Sequence, residues 1–485
     1  MIPPASPAPA ARTIFRRWTF LLSSSSFHQS MKCRILPALC LAATAPAAEK
    51  GPAWSGGDGT VFNEGHDAFS LPLAHLSRER RREFVVGNAF FNENWVAAPA
   101  STEARDGLGP LFHARSCSGC HTRDGRGTPP AGPDEMMTGL LLRLSIPGTG
   151  PHGSPNPHPV YGTQLAPRAL PGSEPEADSA VHWEPSTFSY PDGTTASLRK
   201  PRFTLGNWRD GNPGPDLLTS PRLAPGVFGS GLLEAIDQTT LENIADPGDH
   251  NHDGVSGRLN MVWDHERSTM APGRFGWKAN QPTLRQQTAD AFLGDMGLTT
   301  PLHPQEGLSP SQQARFAHLP SGGSPEVSAR IFDRVVTYVQ TLAVPARRSP
   351  NDPAITRGAD LFHKVRCHDC HTPSLTTGNA HPIPELRHQS IQPFTNLLLH
   401  DMGPELADNR PDGEASGSEW RTPPLWGLGL HNAVNGNTFY LHDGRARSPE
   451  EAILWHGGEA TASREAFAQL PREERDLLLR FLDSL

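Results

Sequence analysis

The segment LFHARSCSGCHT, residues 111–122, returns lightly altered as LFHKVRCHDCHT, residues 361–372. Each copy sets two cysteines three positions apart and a histidine directly after them: Cys117, Cys120, His121 and Cys367, Cys370, His371. The repeat constrains the fold, because one chain must present two equivalent sites. C-x-x-C-H is the attachment pattern of c-type haem. One helical turn lays both thiols along one porphyrin edge, where they form thioethers with the vinyl groups, and the next residue points its imidazole at the iron. Other readings of the pattern are half of a zinc site, one zinc shared by both pairs, or a redox dithiol. Neither copy follows a βαβ pattern, and the duplication with a shared flank points to two haems. Leu111-Phe112 and Leu361-Phe362, at equal offsets, are expected to pack the motif's helix on the haem face.

The cysteine count agrees with this reading. Residues 31–50, MKCRILPALCLAATAPAAEK, have the Met-Lys start, short apolar run and A-x-A pattern of a secretory signal peptide, with cleavage after Ala47 or Ala48. Met31 is then the expected true start, and 1–48 the leader. A lipoprotein signal using Cys40 is the alternative, against which Leu39 is not the small residue such processing prefers. The apolar run is too short to span a bilayer. Cleavage removes Cys33 and Cys40, and the remaining four cysteines all lie in the two motifs.

With 485 residues the chain has room for several domains and needs no disulfides to fold. A net charge of −8 without long basic runs excludes a nucleic-acid partner. The repeat implies two tandem halves. Residues 328–342 carry apolar side chains at helical spacing, and the C-terminal REERDLLLRFLDSL does the same. The Pro-rich 343–354 reads as a linker. The expected layout is an N-terminal haem domain over 49–342, with a large loop-rich insertion at about 123–220 that includes a few strands such as LLLRLSI (140–146), and a C-terminal cytochrome c domain over 355–485. The fold class expected is mainly α, two cytochrome-c-like helical haem domains.

Three further stretches carry a resemblance: RFGWKANQPTLRQQTADAFLGDMG (274–297), RTPPLWGLG (421–429) and YLHDGRARSPEEAILWHGGEA (440–460). With the two motifs, they make the chain similar to the di-haem cytochrome c peroxidase and MauG superfamily, and most to its branch of di-haem, or thiol, oxidoreductases. The signal peptide implies export to the periplasm, and the resemblance implies a haem oxidoreductase with one reactive and one electron-transfer haem. Peroxide would be its acceptor, and a small redox protein or other one-electron donor or acceptor its partner. Trp277 would lie between the haems. Gln287 matches the distal glutamine. Asp295 falls two positions before the family's distal glutamate and would move a proton between the peroxide oxygens. His456 stands where the peroxidases have a methionine and MauG a tyrosine, which implies a bis-histidine second haem of lower potential. Met402 and then His400 are the other candidates for that position, and His442 matches a histidine that hydrogen-bonds near the second haem. The region aligned with the first haem's removable ligand, 220–236, has no His or Met, so that iron is expected to be open, unless Met261, His250 or His252 folds in. The alternatives are a di-haem electron carrier without catalysis, and a MauG-like oxidase of thiols or of a protein side chain. The thiol label finds no support, since no cysteine remains as a relay.

Asp249, Asn251, Asp253 and Gly254 fit the first half of a calcium loop, with Asn260 in place of the closing glutamate; a solvated turn fits equally. His113 and His363 are expected at the haem edges or in solvent. Arg445 and Arg447 are candidate partners for haem propionates, or plain surface arginines.

Overall fold

Two helix pairs organise the chain. The computed structural model describes residues 51–485; the expected leader, with Cys33 and Cys40, lies outside the described residues. Helix Ala329–Thr341 is capped by Ser328, whose hydroxyl accepts from Ile331 N, and buries Phe332, Val335, Val336 and Val339 on one stripe. It crosses helix Arg78–Asn92 at Gly87, where a Cβ would strike the main-chain oxygen of Arg334. The second half repeats the device. Helix Pro353–Lys364 crosses Arg472–Ser484 at Gly358, where a Cβ would strike the main-chain oxygen of Leu477. Both C-terminal helices of the sequence reading are therefore present, each packed through a glycine.

The expectation of a mainly α fold with a loop-rich insertion is overturned. Helix accounts for 30% and strand for 18%, and the strands form six small sheets among the described residues. Most of the strand lies in the region read as loop-rich, where the strand expected at 140–146 is present and the others were not expected. Leu140–Thr149 pairs with Leu218–Leu223, in register Leu140↔Leu223. Asp178–Ser189 and Thr195–Gly206 form a long hairpin, closed where Tyr190 N donates to Thr194 O. Its signal was in the sequence, as Pro191-Asp192-Gly193 between two runs of strand-forming residues. Pro185 and Pro201 masked it, because proline usually argues against a strand. In a two-stranded ribbon each strand has a free edge, and the missing N–H costs no ladder bond. The tip is tied to the second half: Arg475 covers the Tyr190 ring at 3.9 Å and pairs with Asp192 at 2.8 Å.

The halves interlock elsewhere too. Ala343 and Val344, in the Pro-rich segment, are buried in the larger core with Phe69 and Phe332, and Trp426 and Leu430 enter the same core from the second half. A second core gathers Phe362, Leu478 and Phe481 and takes in Tyr190 and Leu198 of the hairpin. The described residues, 51–485, fall in one compact unit.

The two repeated segments are supported differently. Leu361-Phe362 lies in a helix, started by Asp352, whose carboxylate accepts from Ala354 N at 2.8 Å. Leu111–Phe112 is instead a short strand paired with Arg168–Ala169. Gly107, Gly109 and Pro110 stand before it, and together they prevent a helix there. The expected helix upstream of the first motif does not form.

Gly87→Ala and Gly358→Ala should each lower stability by about 1–3 kcal/mol, because main chain must move to admit the methyl. Gly132→Ala, with open space around it, should stay within about 0.5 kcal/mol of the parent. Urea unfolding followed by circular dichroism compares the three.

Candidate functional site

Each motif closes as one 3-10 turn, Cys117–Gly119 and Cys367–Asp369. The amide of His121 donates to Cys117 O at 2.9 Å, and that of His371 to Cys367 O at 3.0 Å. Each turn thereby places its cysteines and histidine on the wall of one of two cavities. Both imidazoles are anchored alike. His121 Nδ1 meets Pro225 O at 2.7 Å, and His371 Nδ1 meets Phe394 O at 2.9 Å. A carbonyl oxygen only accepts, so the proton sits on Nδ1 and Nε2 keeps its lone pair. Burial lowers both rings' proton affinity, that of His371 to about 3. Neutral rings with a free Nε2 suit an iron ligand.

The four thiols are free and largely enclosed. Burial pushes Cys117 and Cys367 up to about 12, and Cys120 and Cys370 up as well. Thioether formation removes the ionisable group altogether. None of the four is in a disulfide, and no three His, Cys, Asp or Glu side chains gather as a metal-holding group among the described residues. The residues present fit haem.

In the second cavity His456 repeats the histidine arrangement. Its Nδ1 donates to Ala452 O at 2.7 Å, one turn back, and leaves Nε2 free. It stands near enough to His371 for its charge to count, after burial, among the causes that lower that ring. His400 has both nitrogens occupied, by Glu459 at 2.8 Å and Asn396 at 3.0 Å. Met402 lines the cavity, and His442 stacks on Trp420 at 3.7 Å.

One stripe of helix Leu284–Met296 faces the first cavity: Leu284, Gln287, Thr288, Ala291 and Asp295. Asp295 Oδ1 accepts from Gln164 Nε2 at 2.8 Å. Met261, His250 and His252 are absent from this wall; His113 and Met296 are on it. His113 Nε2 donates to Thr138 O at 2.8 Å, and its buried Nδ1 has no partner. His431 is occupied on both nitrogens, by Asn435 and by Arg126.

Sequence reasoning missed Gln281. Its Nε2 donates to Asp290, whose other oxygen receives His303 Nε2 at 2.6 Å. A carboxylate can only accept, so the amide is fixed with Oε1 turned the other way. That oxygen is buried, without a partner, on a residue of the first cavity's wall. Only contact with Asp290 reveals this, and the sequence has no mark of it.

Trp277 belongs to the walls of both cavities, its Nε1 donating to Leu223 O at 2.7 Å. Arg126 and Arg421 share that position. Arg445 and Arg447 are engaged elsewhere, with Asp443 at 2.7 Å and Glu451 at 2.8 Å. The 249–254 loop closes on itself: Asp249 accepts from the amides of Asp253 and Gly254, and Asn251 Nδ2 donates to Asp253 at 3.0 Å.

A family model described as "di-haem oxidoreductase, putative peroxidase" matches residues 51–485, and the chain belongs to that family. No curated protein and no solved structure matches it. Membership carries two haems and oxidoreductase chemistry in general.

Burial, then the charge of Arg126, holds His431 at about 3 against an ordinary 6.5. Below pH 6.5 the unfolded chain therefore binds a proton at this site that the folded one refuses, and stability falls with pH. His431→Gln should make the slope of unfolding free energy between pH 6 and 4 shallower by about one proton per molecule. Urea titrations at stepped pH measure it.

Proposed function

We propose that this chain is an exported, periplasmic c-type cytochrome with peroxidase-like activity, in which one haem reacts and the other transfers electrons. The observation that carries the reading is an asymmetry. The second cavity presents two imidazoles, His371 and His456, each anchored at Nδ1 with Nε2 free; the first presents only His121 in that form. Cys117 and Cys120 would hold one haem by thioethers, Cys367 and Cys370 the other. Bound there, the haems supply iron that exchanges single electrons, the pair together matching the two that reduction of a peroxide requires.

The chain's own residues divide the remaining work. Asp295, steadied by Gln164, moves a proton between the two oxygens of a bound peroxide. Gln281 offers a fixed amide oxygen to a donor in the cavity, and Gln287 faces the same space from the helix. Trp277 fills the shared wall and carries electrons between the sites. A small redox protein or similar one-electron donor supplies them one at a time. Calcium at 249–254 plays no part in this reading.

One observation favours a second reading, an electron carrier with both irons closed: Met296 and the unpartnered Nδ1 of His113 also line the first cavity. Two measurements separate the readings. The intact mass of the purified protein should exceed that of the chain by two haems. Asp295→Asn should then lower kcat/KM for hydrogen peroxide by about a hundredfold with haem content unchanged. No turnover in the parent, or an unaffected variant, contradicts the peroxidase-like reading.

A further inference from the structure

Arg126 and Arg421 have no negative partner. Arg126 is 7% exposed and Arg421 7%. Among the described residues no carboxylate lies within ion-pair distance of either guanidinium. Arg126 Nε donates to the neutral ring of His431 at 3.1 Å. Arg421 donates from Nε to Gly276 O at 2.9 Å and from Nη1 to Thr422 O at 3.1 Å. Among the described residues, the Arg126 terminal nitrogens and Arg421 Nη2 have no protein acceptor. Burial lowers both groups, Arg421 to about 10, and for Arg421 the nearby charge of Arg126 adds to the effect. Two buried like charges without an anion are unfavourable unless something bound supplies one.

Their position says what supplies it. Both arginines line both cavities. Whatever fills the first cavity and whatever fills the second therefore approach the same two guanidinium groups. A haem bears two propionates, and a guanidinium is the side chain best shaped to grip a carboxylate through two N–H groups. The other buried arginines nearby are matched already: Arg222 by Asp412 at 3.3 Å and Arg410 by Asp412 at 3.2 Å.

We infer that Arg126 and Arg421 form a shared clamp that takes a propionate from each of the two haems, one on either side of Trp277. The inference rests on the di-haem reading above. The clamp gives the haems a common counter-charge, so removing either arginine acts on both irons. Loss of a nearby positive charge favours the ferric state, and both reduction potentials should fall.

The test is a spectroelectrochemical titration of the full haem-loaded protein and of Arg126→Gln and Arg421→Gln, with haem content counted by pyridine haemochrome. Each variant should shift both haems downward by about tenfold in the reduction equilibrium, equal to ~59 mV for one electron. Arg447→Gln, whose parent side chain pairs with Glu451, should shift neither. If a Gln variant fails to fold, the Lys variant decides: it keeps the charge but not the two-pronged grip, and should shift both haems by about threefold. A shift confined to one haem, or none, with two haems bound, overturns the clamp. Fewer than two haems in the parent instead overturns the reading beneath it.

Discussion

The hydrogen bond from Trp277 Nε1 to Leu223 O sets the wall on which both cavities depend. It ties the indole to the main chain of the strand Leu218–Leu223. The next residue anchors the segment from behind: Lys278, fully buried, pairs with Asp408 at 2.9 Å and donates to Ser416 O and Arg410 O. A buried ammonium with three acceptors is satisfied, and moving it would leave carbonyls and a carboxylate unmatched. Main chain joins the two halves at the same place, since Arg421 N donates to Trp277 O at 2.8 Å. The shared wall is thus made from both halves of the chain, and neither cavity is complete without the other half.

The chemistry assigned to the cavities follows from how their histidines are held. An imidazole whose Nδ1 is tied to a carbonyl has its tautomer and its direction settled before any ligand arrives. His121, His371 and His456 share this state, and His400 and His431 do not. Asp295 and Gln281 line the first cavity alone, and Trp277 lines both.

Legibility followed the type of signal. The two motifs could be read because their chemistry depends on local spacing, and the structure sets each on its own cavity. Helices 329–341 and 472–484 were legible because period 3.6 is a local property. The hairpin of 178–206 was not, since Pro185 and Pro201 speak against strands in general but not in a two-stranded ribbon. The two leucine–phenylalanine pairs were misread as equivalent because the glycines and proline before Leu111 were given no weight. Arg126, Arg421 and Gln281 stayed hidden for another reason: what marks them is the lack of a partner, and a lack of partner exists only in three dimensions. Arg445 and Arg447, candidates because a guanidinium grips carboxylates, are satisfied by Asp443 and Glu451.

The central claim is that one iron is open and the other closed by two histidines. Electron paramagnetic resonance of the haem-loaded protein, poised with one haem reduced, tests it before and after peroxide is added. The account predicts a high-spin ferric signal that peroxide converts, beside a low-spin centre that His456→Ala turns high-spin. Low-spin signals alone, unchanged by peroxide, would contradict it and leave an electron carrier.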